Sequence, residues 1–323
     1  MKEIIPNFSD EKIASIAKEH YGLEGSVTAL VSYEDQNALI KTGNGKFVLK
    51  ISNTKWPKTF IQTQINVLEH LKVKAPHLAF PSTVATLSEE ELIEVDGFYV
   101  RLQTFLEGEI YTNMPKSETL YADLGRFLGQ LSQALCSFNP EHHEGSDPLW
   151  KLDRVIDCKP YVKYVADDET RDRMNRIFDA YEEKVLPKLP KLRKAIIHSD
   201  ANEQNFLVLK EKPDQIYGLI DFGELQHASQ INELAITLAY CLMGEDDIEM
   251  ASKALVDGYD KEFKILDEER EILFYLMAMR VIVSVTMSAY NASLQPDNEY
   301  LLVTQKPGIE LLKRMEELKF IDI

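Results

Sequence analysis

The chain has 323 residues, enough for a sizeable core and for two lobes, and its apolar and charged fractions (45% and 28%) argue against general disorder. With 53 acidic against 36 basic side chains it carries a net charge of −17. That balance argues against nucleic-acid binding, which needs clustered Lys and Arg, and favours a cationic small molecule wherever the acidity gathers at a pocket.

The opening "MKEIIPNFSDEK" has no apolar h-region, so it does not read as a secretory signal. Phe8-Ser9-Asp10-Glu11 reads as a helix start: Ser9 can cap, acids fill the first turn, and Phe8 can staple onto Ile13. After Gly22 and Gly25 come three β-rich runs, "SVTALVSYED", "NALIKT" and "KFVLKIS", with a turn before Lys46. "TFIQTQINVLEHLK" has helical spacing through Ile61, Ile65, Leu68 and Leu71. Two strands follow, "EELIEV" and "FYVRLQTFL", joined near Asp96-Gly97. Residues 1–106 are thus expected to form a small β-rich lobe, with Glu107-Gly108 as the hinge to a larger helical lobe over residues 107–323.

In that second part, Leu120, Leu124, Phe127, Leu128, Leu131 and Leu135 line one helix; Met174, Ile177, Phe178, Tyr181 and Val185 line another. Short strands "AIIH", "FLVL" and "IYGLI" interrupt over residues 195–220, before helices resume with "INELAITLAYCLM". "ILFYLMAMRVIVSVTMSAY" has the length of a membrane span but carries Arg280 at its centre, which is costly in lipid. A buried helix whose arginine meets a carboxylate is the expected arrangement. Cys136, Cys158 and Cys241 are odd in number and lack metal or redox spacing, which fits a reducing cytoplasm. His142-His143 reads as solvated loop, because adjacent residues rarely point the same way.

The most polar bend, "AIIHSDANEQNFLVL", crowds His198, Asp200, Asn202, Glu203, Gln204 and Asn205 between two apolar runs. After a hairpin, "IYGLIDFGELQ" places Asp221 at the end of another strand. Two strand ends are therefore expected to present Asp200, Asn205 and Asp221 on one side of a small sheet. Such an oxygen set suits a hard cation such as Mg²⁺, which keeps water and phosphate oxygens in its shell. Two carboxylates about 4 Å apart repel by ~4 kcal/mol at an effective dielectric near 20, so a cation among them makes the cluster sensible. Lys50, in the alternating strand "FVLKI", is a candidate fixed cation. Each piece is weak alone. The ordered conjunction of Val-Leu-Lys, then His-x-Asp-x-x-x-x-Asn, then Ile-Asp-Phe-Gly follows the protein-kinase signature set.

These stretches, together with "SYEDQNALI", "VLPKLPKLRK" and "GLIDFGELQHASQINELAITLAY", resemble the aminoglycoside phosphotransferase/choline kinase superfamily, and within it hydroxylysine kinase-like small-molecule phosphotransferases. The resemblance implies an α+β, bilobal protein-kinase-like fold, with a small antiparallel-sheet N-lobe that binds nucleotide and a larger, mainly helical C-lobe. It implies Asp200 as the catalytic base or orienting carboxylate, Asn205 and Asp221 as Mg²⁺ ligands, and Lys50 on the α/β-phosphates of ATP or GTP. The backbone at Thr104 and Leu106 would grip the base, with Gln103 behind it; Ser32, Tyr33 and Gln36 would lie in the phosphate-covering loop. His198 would brace the turn. The chain departs from the family pattern in three ways: it has no Gly-x-Gly-x-x-Gly, Gln64 stands for the usual helix glutamate, and Lys151 stands where an acid is expected.

The acceptor is less legible. Glu224 and Glu233 are candidates for an ammonium group, with a helix N-terminal carboxylate as the alternative for Glu233. Arg280 is a candidate for a substrate carboxylate or, more in keeping with its setting, for a buried acid. The reading is a cytoplasmic, Mg²⁺-dependent kinase that phosphorylates the hydroxyl of an amine or amino acid such as hydroxylysine, with no nucleic-acid or membrane partner. Other acceptors (an aminoglycoside, choline, homoserine, a sugar) and a non-catalytic nucleotide-binding pseudokinase are the alternatives.

Overall fold

The structure is a computed structural model and describes residues 4–32, 34–140, 148–295 and 305–322. These fall into two compact units: one holds the chain up to Glu107 and also Gly218–Ile220; the other holds Gly108–Asn139, the chain up to Tyr217, and Asp221 onward.

The first unit opens with α1 (Asp10–Tyr21), capped by Ser9, whose hydroxyl accepts from Lys12 N at 3.3 Å, and closed by Gly22 in the left-handed region. Then come β1 (Gly25–Leu30), β2 (Gln36–Thr42), β3 (Gly45–Ile51), α2 (Lys58–Lys74), β4 (Thr83–Val84), β5 (Ile93–Val95) and β6 (Phe98–Thr104). They form one antiparallel sheet in the order β1-β2-β3-β6-β4, with β5 also on β6. The β5–β6 turn holds Asp96 and Gly97 at φ 53° and 85°, the paired positive values of a tight two-residue hairpin. β4 was not expected; two residues carry no period to read.

Alternation decides what each sheet face does. Ala38, Ile40, Leu49, Ile51, Val100 and Leu102 point to one side and pack on Ile13, Ile16 and Ala17 of α1. The opposite parity puts Lys50 across from Arg101, and Val48 across from Gln103. Lys50 is therefore held in a buried strand, 7% exposed, on the face away from the α1 core.

The second unit contains β7 (Glu109–Ile110), α3 (Glu118–Leu135), α4 (Asp168–Lys184), β8 (Lys194–Ile197), β9 (Phe206–Leu209), β10 (Lys212–Leu219), β11 (Gln226–Ser229), α5 (Ile231–Leu242), α6 (Ile248–Glu262), α7 (Asp267–Arg270), α8 (Leu273–Leu294) and α9 (Gln305–Glu317). The expectation of one small sheet over residues 195–220 needs correction: β9 lies between β10 and β7, while β8 pairs separately with β11. β7 and β11 are too short to show alternation, so their pairing was not readable. α8 is the one helix, among the described residues, long and apolar enough to cross a membrane, but 83% of its apolar window is buried inside the fold. It is a core helix.

α3 and α6 pack with their backbones in near contact. A Cβ added at Gly258 would overlap the Ala122 carbonyl, and one at Gly125 would overlap that of Leu255. Gly258→Ala is expected to force the helices apart, costing about 1–3 kcal/mol, or ~2–4 °C of thermal midpoint per kcal/mol. Gly43→Ala, where the added methyl meets nothing within 4 Å, serves as the control. Equal midpoints for the two variants would contradict this packing.

Candidate active site

In the second unit the chain leaves β8 at Ile197 and turns through residues 198–205 into β9. Three anchors shape the turn. Glu233, on the first turn of α5, accepts from the backbone N–H groups of His198 and, at 3.1 Å, Ser199. Thr237, one helical turn on, donates its hydroxyl to Ala201 O at 2.8 Å. His198, fully buried, accepts from Asp200 N at Nδ1 (3.3 Å) and sets its ring edge-on against Phe222, centroids 4.6 Å apart. His198 thus links the bend to the Asp-Phe-Gly segment, and a ring nitrogen engaged by a backbone amide is poorly placed to take a proton from substrate.

The product is a carboxylate held at both oxygens. Asn202 Nδ2 donates to Asp200 Oδ1 at 3.0 Å; Asn205 Nδ2 donates to Oδ2 at 3.0 Å and to the Asp200 carbonyl at 2.8 Å. Arg280, from the middle of α8, brings a guanidinium nitrogen to 3.8 Å from Oδ1. Burial pushes the Asp200 carboxyl up to about 6; Arg280 pulls it down and Asp221 pushes it up again. The side chain still keeps 27% of its surface, so water or a hydroxyl can reach it. A carboxylate that solvent reaches and that faces a guanidinium is anionic near neutral pH.

Asp221 begins the short 3-10 turn Phe222–Glu224 at φ 64° and ψ 70°, and Ser199 has φ 68°. Non-glycine residues rarely adopt this conformation, and it persists where surrounding contacts over-determine it. Both flank the candidate chemistry. Among the described residues, no cluster of three or more His, Cys, Asp or Glu side chains could hold a metal ion. A two-oxygen site fits better. Because Asn205 uses its amide nitrogen on Asp200, its carbonyl oxygen is the atom it can offer a hard cation. Asp221, exposed and close enough to act on Asp200 electrostatically, can offer a carboxylate oxygen. Mg²⁺ takes such a sparse protein set and completes six oxygens with water and phosphate.

Two expectations about charged residues are resolved. Glu233 is not placed to meet an acceptor's ammonium: it is 1% exposed, and both oxygens are engaged by the turn's amides. Burial raises its carboxyl to about 7, with the His198 and Ser199 amides pulling the other way. Arg280 does face a carboxylate, and that partner is the half-buried Asp200 itself. Glu224 lies half-buried in the 3-10 turn after Asp221. Lys151 caps the 3-10 helix Leu152–Tyr164 and accepts at its carbonyl from Arg154 N at 2.8 Å. Asn202 stood out in the polar bend but was given no role, and Trp150 and Tyr240 were missed; only the lone charge inside "FYLMAMRVIVSV" signalled that something polar had to surround Arg280.

In the first unit, Gln64 of α2 accepts from Arg101 at 2.5 Å, and Arg101 also donates to Ser52 at 2.9 Å. The helix glutamine therefore engages the residue opposite Lys50 in the sheet. Gln103 is 8% exposed on the Lys50 face. Thr104 N donates to Ser82 O at 2.9 Å, which occupies its amide, whereas Leu106 makes no hydrogen bond among the described residues. Ser32 donates its hydroxyl to Asp35 O at 2.6 Å and closes its own turn, and Gln36 brackets Phe8 through both of that residue's backbone groups. Tyr33 and His142-His143 lie outside the described residues.

The model of the phosphotransferase enzyme family matches residues 26–271. The hydroxylysine kinase of Danio rerio is 29% identical, covering 98% of this chain and 94% of that protein. That of Mus musculus is 27% identical, covering 97% and 90%. Among solved structures, a microcompartment-associated aminopropanol kinase superposes with a TM-score of 0.77 at 15% identity, covering 97% of this chain and 99% of that one. An amicoumacin kinase in complex with AMP-PNP, Ca²⁺ and Ami gives 0.72 at 14%, covering 95% of this chain and 94% of that one. These likenesses show the α+β, protein-kinase-like fold: an antiparallel-sheet unit followed by a larger, mainly helical one.

Proposed function

Because the chain belongs to the phosphotransferase enzyme family, we propose that it transfers the γ-phosphoryl group of ATP or GTP to the side-chain hydroxyl of a small amine or amino acid, hydroxylysine first among them. It is a small-molecule phosphotransferase with a hydroxyl acceptor; the donor, the metal and the named acceptor are our reading. The observation that carries it is the Asp200 carboxylate, accepting from Asn202 and Asn205 and reachable by solvent, within electrostatic reach of Asp221. The near full-length similarity to hydroxylysine kinases supports the choice of acceptor.

In this reading Asp200 accepts a hydrogen bond from the acceptor hydroxyl, aims its oxygen at the phosphorus and takes its proton as the bond forms. Asn205 and Asp221 would hold Mg²⁺, which would neutralise phosphate charge. Lys50 contacts the α/β-phosphates, the 32–36 loop covers them with Ser32 and Tyr33, and Gln103 and the Thr104–Leu106 backbone hold the base, with Leu106 the segment's available backbone. Glu224 faces the acceptor's ammonium. Phosphoryl transfer asks little covalent work of a protein, so positioning and fixed charge supply most of the acceleration. Cys136, Cys158 and Cys241 are all unbridged, in keeping with a cytoplasmic enzyme.

The test is a panel of hydroxyl-bearing amines and amino acids, including 5-hydroxylysine, homoserine, choline and kanamycin, each with ATP and with GTP, read by nucleoside diphosphate release. Turnover on hydroxylysine well above the rest is expected. A preference for kanamycin or choline would replace the acceptor and leave the phosphoryl chemistry in place; stoichiometric nucleotide binding with no turnover on any acceptor would contradict the reading.

A further inference from the structure

A guanidinium cannot shed its charge in a protein, so one buried inside an apolar helix must be compensated where it stands. Arg280 is 3% exposed, among the sixteen buried residues of α8. One nitrogen donates to the Trp150 carbonyl at 3.0 Å, and its central carbon lies 4.9 Å from the Trp150 ring and 5.2 Å from that of Tyr240. Two aromatic rings and a carbonyl leave the plane little freedom. Its position is therefore set by α8 and the segment ending at Trp150, not by the acid it faces.

That acid is Asp200, and the spacing is informative. At 3.8 Å the guanidinium is too far for a direct hydrogen bond, yet near enough for its field to be felt. Asp200 already accepts from Asn202 and Asn205. An ion pair built for stability alone would close to hydrogen-bond distance, as Arg193 does with the buried Glu269 at 2.5 Å. Here the guanidinium stops short of Oδ1, and the carboxylate keeps 27% of its surface for another donor.

We propose that Arg280 is a positioning residue for the transfer: clamped by Trp150 and Tyr240, it holds Asp200 aimed, without occupying the oxygen that receives the acceptor hydroxyl. The inference rests on the reading of Asp200 as the catalytic carboxylate. It excludes a second use for Arg280, that of binding the acceptor's own carboxylate.

The experiment compares Arg280→Lys and Arg280→Gln with the wild-type chain, using ATP with 5-hydroxylysine and with the diamino alcohol that lacks its carboxylate. Lysine keeps the charge and loses the planar guanidinium; glutamine loses both. The expected kcat is about tenfold lower for Arg280→Lys and about 10²-fold lower for Arg280→Gln, the scale of one lost preorganised donor. KM for nucleotide and for acceptor should each stay within about threefold, and the losses should be the same on both acceptors. A defect confined to acceptor KM, or vanishing on the diamino alcohol, would assign Arg280 to the substrate and overturn the proposal. So would unchanged kcat in Arg280→Lys, which decides the matter even if the glutamine variant does not fold. Asp200→Ala in parallel separates the two readings: if it is inactive while the Arg280 variants are normal, only this inference fails; if it turns over, the Asp200 reading fails first.

Discussion

Asp200→Ala is expected to bind ATP as tightly as the wild-type chain and to lose phosphoryl transfer. The hydroxyl of an amino alcohol is a poor nucleophile unless it is oriented and relieved of its proton. In the proposed reading Asp200 serves both tasks, from a turn pinned by Glu233 and Thr237, with its oxygens held by Asn202 and Asn205. A positioned acid–base group contributes ~10²–10⁴-fold, or about 3–5 kcal/mol of barrier. Removing the carboxylate also leaves the buried Arg280 without its nearest counter-charge. The variant's thermal midpoint should therefore be measured beside its kcat and its nucleotide affinity. Near-normal turnover would remove Asp200 from the mechanism; loss of nucleotide binding with the fold intact would make it a nucleotide ligand instead.

Asp221→Ala acts through a different quantity. Asp221 sits exposed in a left-handed turn, its carboxylate felt by Asp200. In the proposed reading it supplies, with Asn205, the sparse oxygen set that Mg²⁺ accepts. Supporting partners of metal ligands already shift affinity by ~10–100-fold when removed, and a direct ligand should shift it at least as far. The Mg²⁺ concentration giving half-maximal rate should rise by about that factor, with activity partly restored at high Mg²⁺. An unchanged metal titration would argue against the ligand role. The substitution also removes a like charge near Asp200, so the remaining carboxylate should become easier to ionise.

Periodicity carried much of the fold. The alternation in "FVLKI" and "FYVRLQTF" fixed which side chains share the Lys50 face, and the apolar spacing in "TFIQTQINVLEHLK" marked α2. Pairing among very short strands was not legible, because β7 and β11 have two and four residues and their partners are chosen by packing. At the site, residue order alone singled out Asp200, Asn205 and Asp221 as candidates. The use of Glu233 could not be read from its position: a carboxylate on the first turn of a helix looks the same whether it meets solvent, substrate or two backbone amides of another segment. Arg280 was half legible. Its charge demanded a buried acid, but no local pattern says which acid a helix some eighty residues further along the chain will reach.

The most direct measurement is rapid-quench transfer of labelled γ-phosphate from ATP to 5-hydroxylysine in a single turnover, comparing the wild-type chain with Asp200→Asn, both saturated with nucleotide. The amide keeps the shape of the side chain and removes its charge and its basicity. Phosphorylated product forming in the wild-type chain at least about a hundredfold faster than in the variant is the expected result. Equal rate constants, with both proteins folded and loaded, would contradict the assignment of the chemistry to this turn.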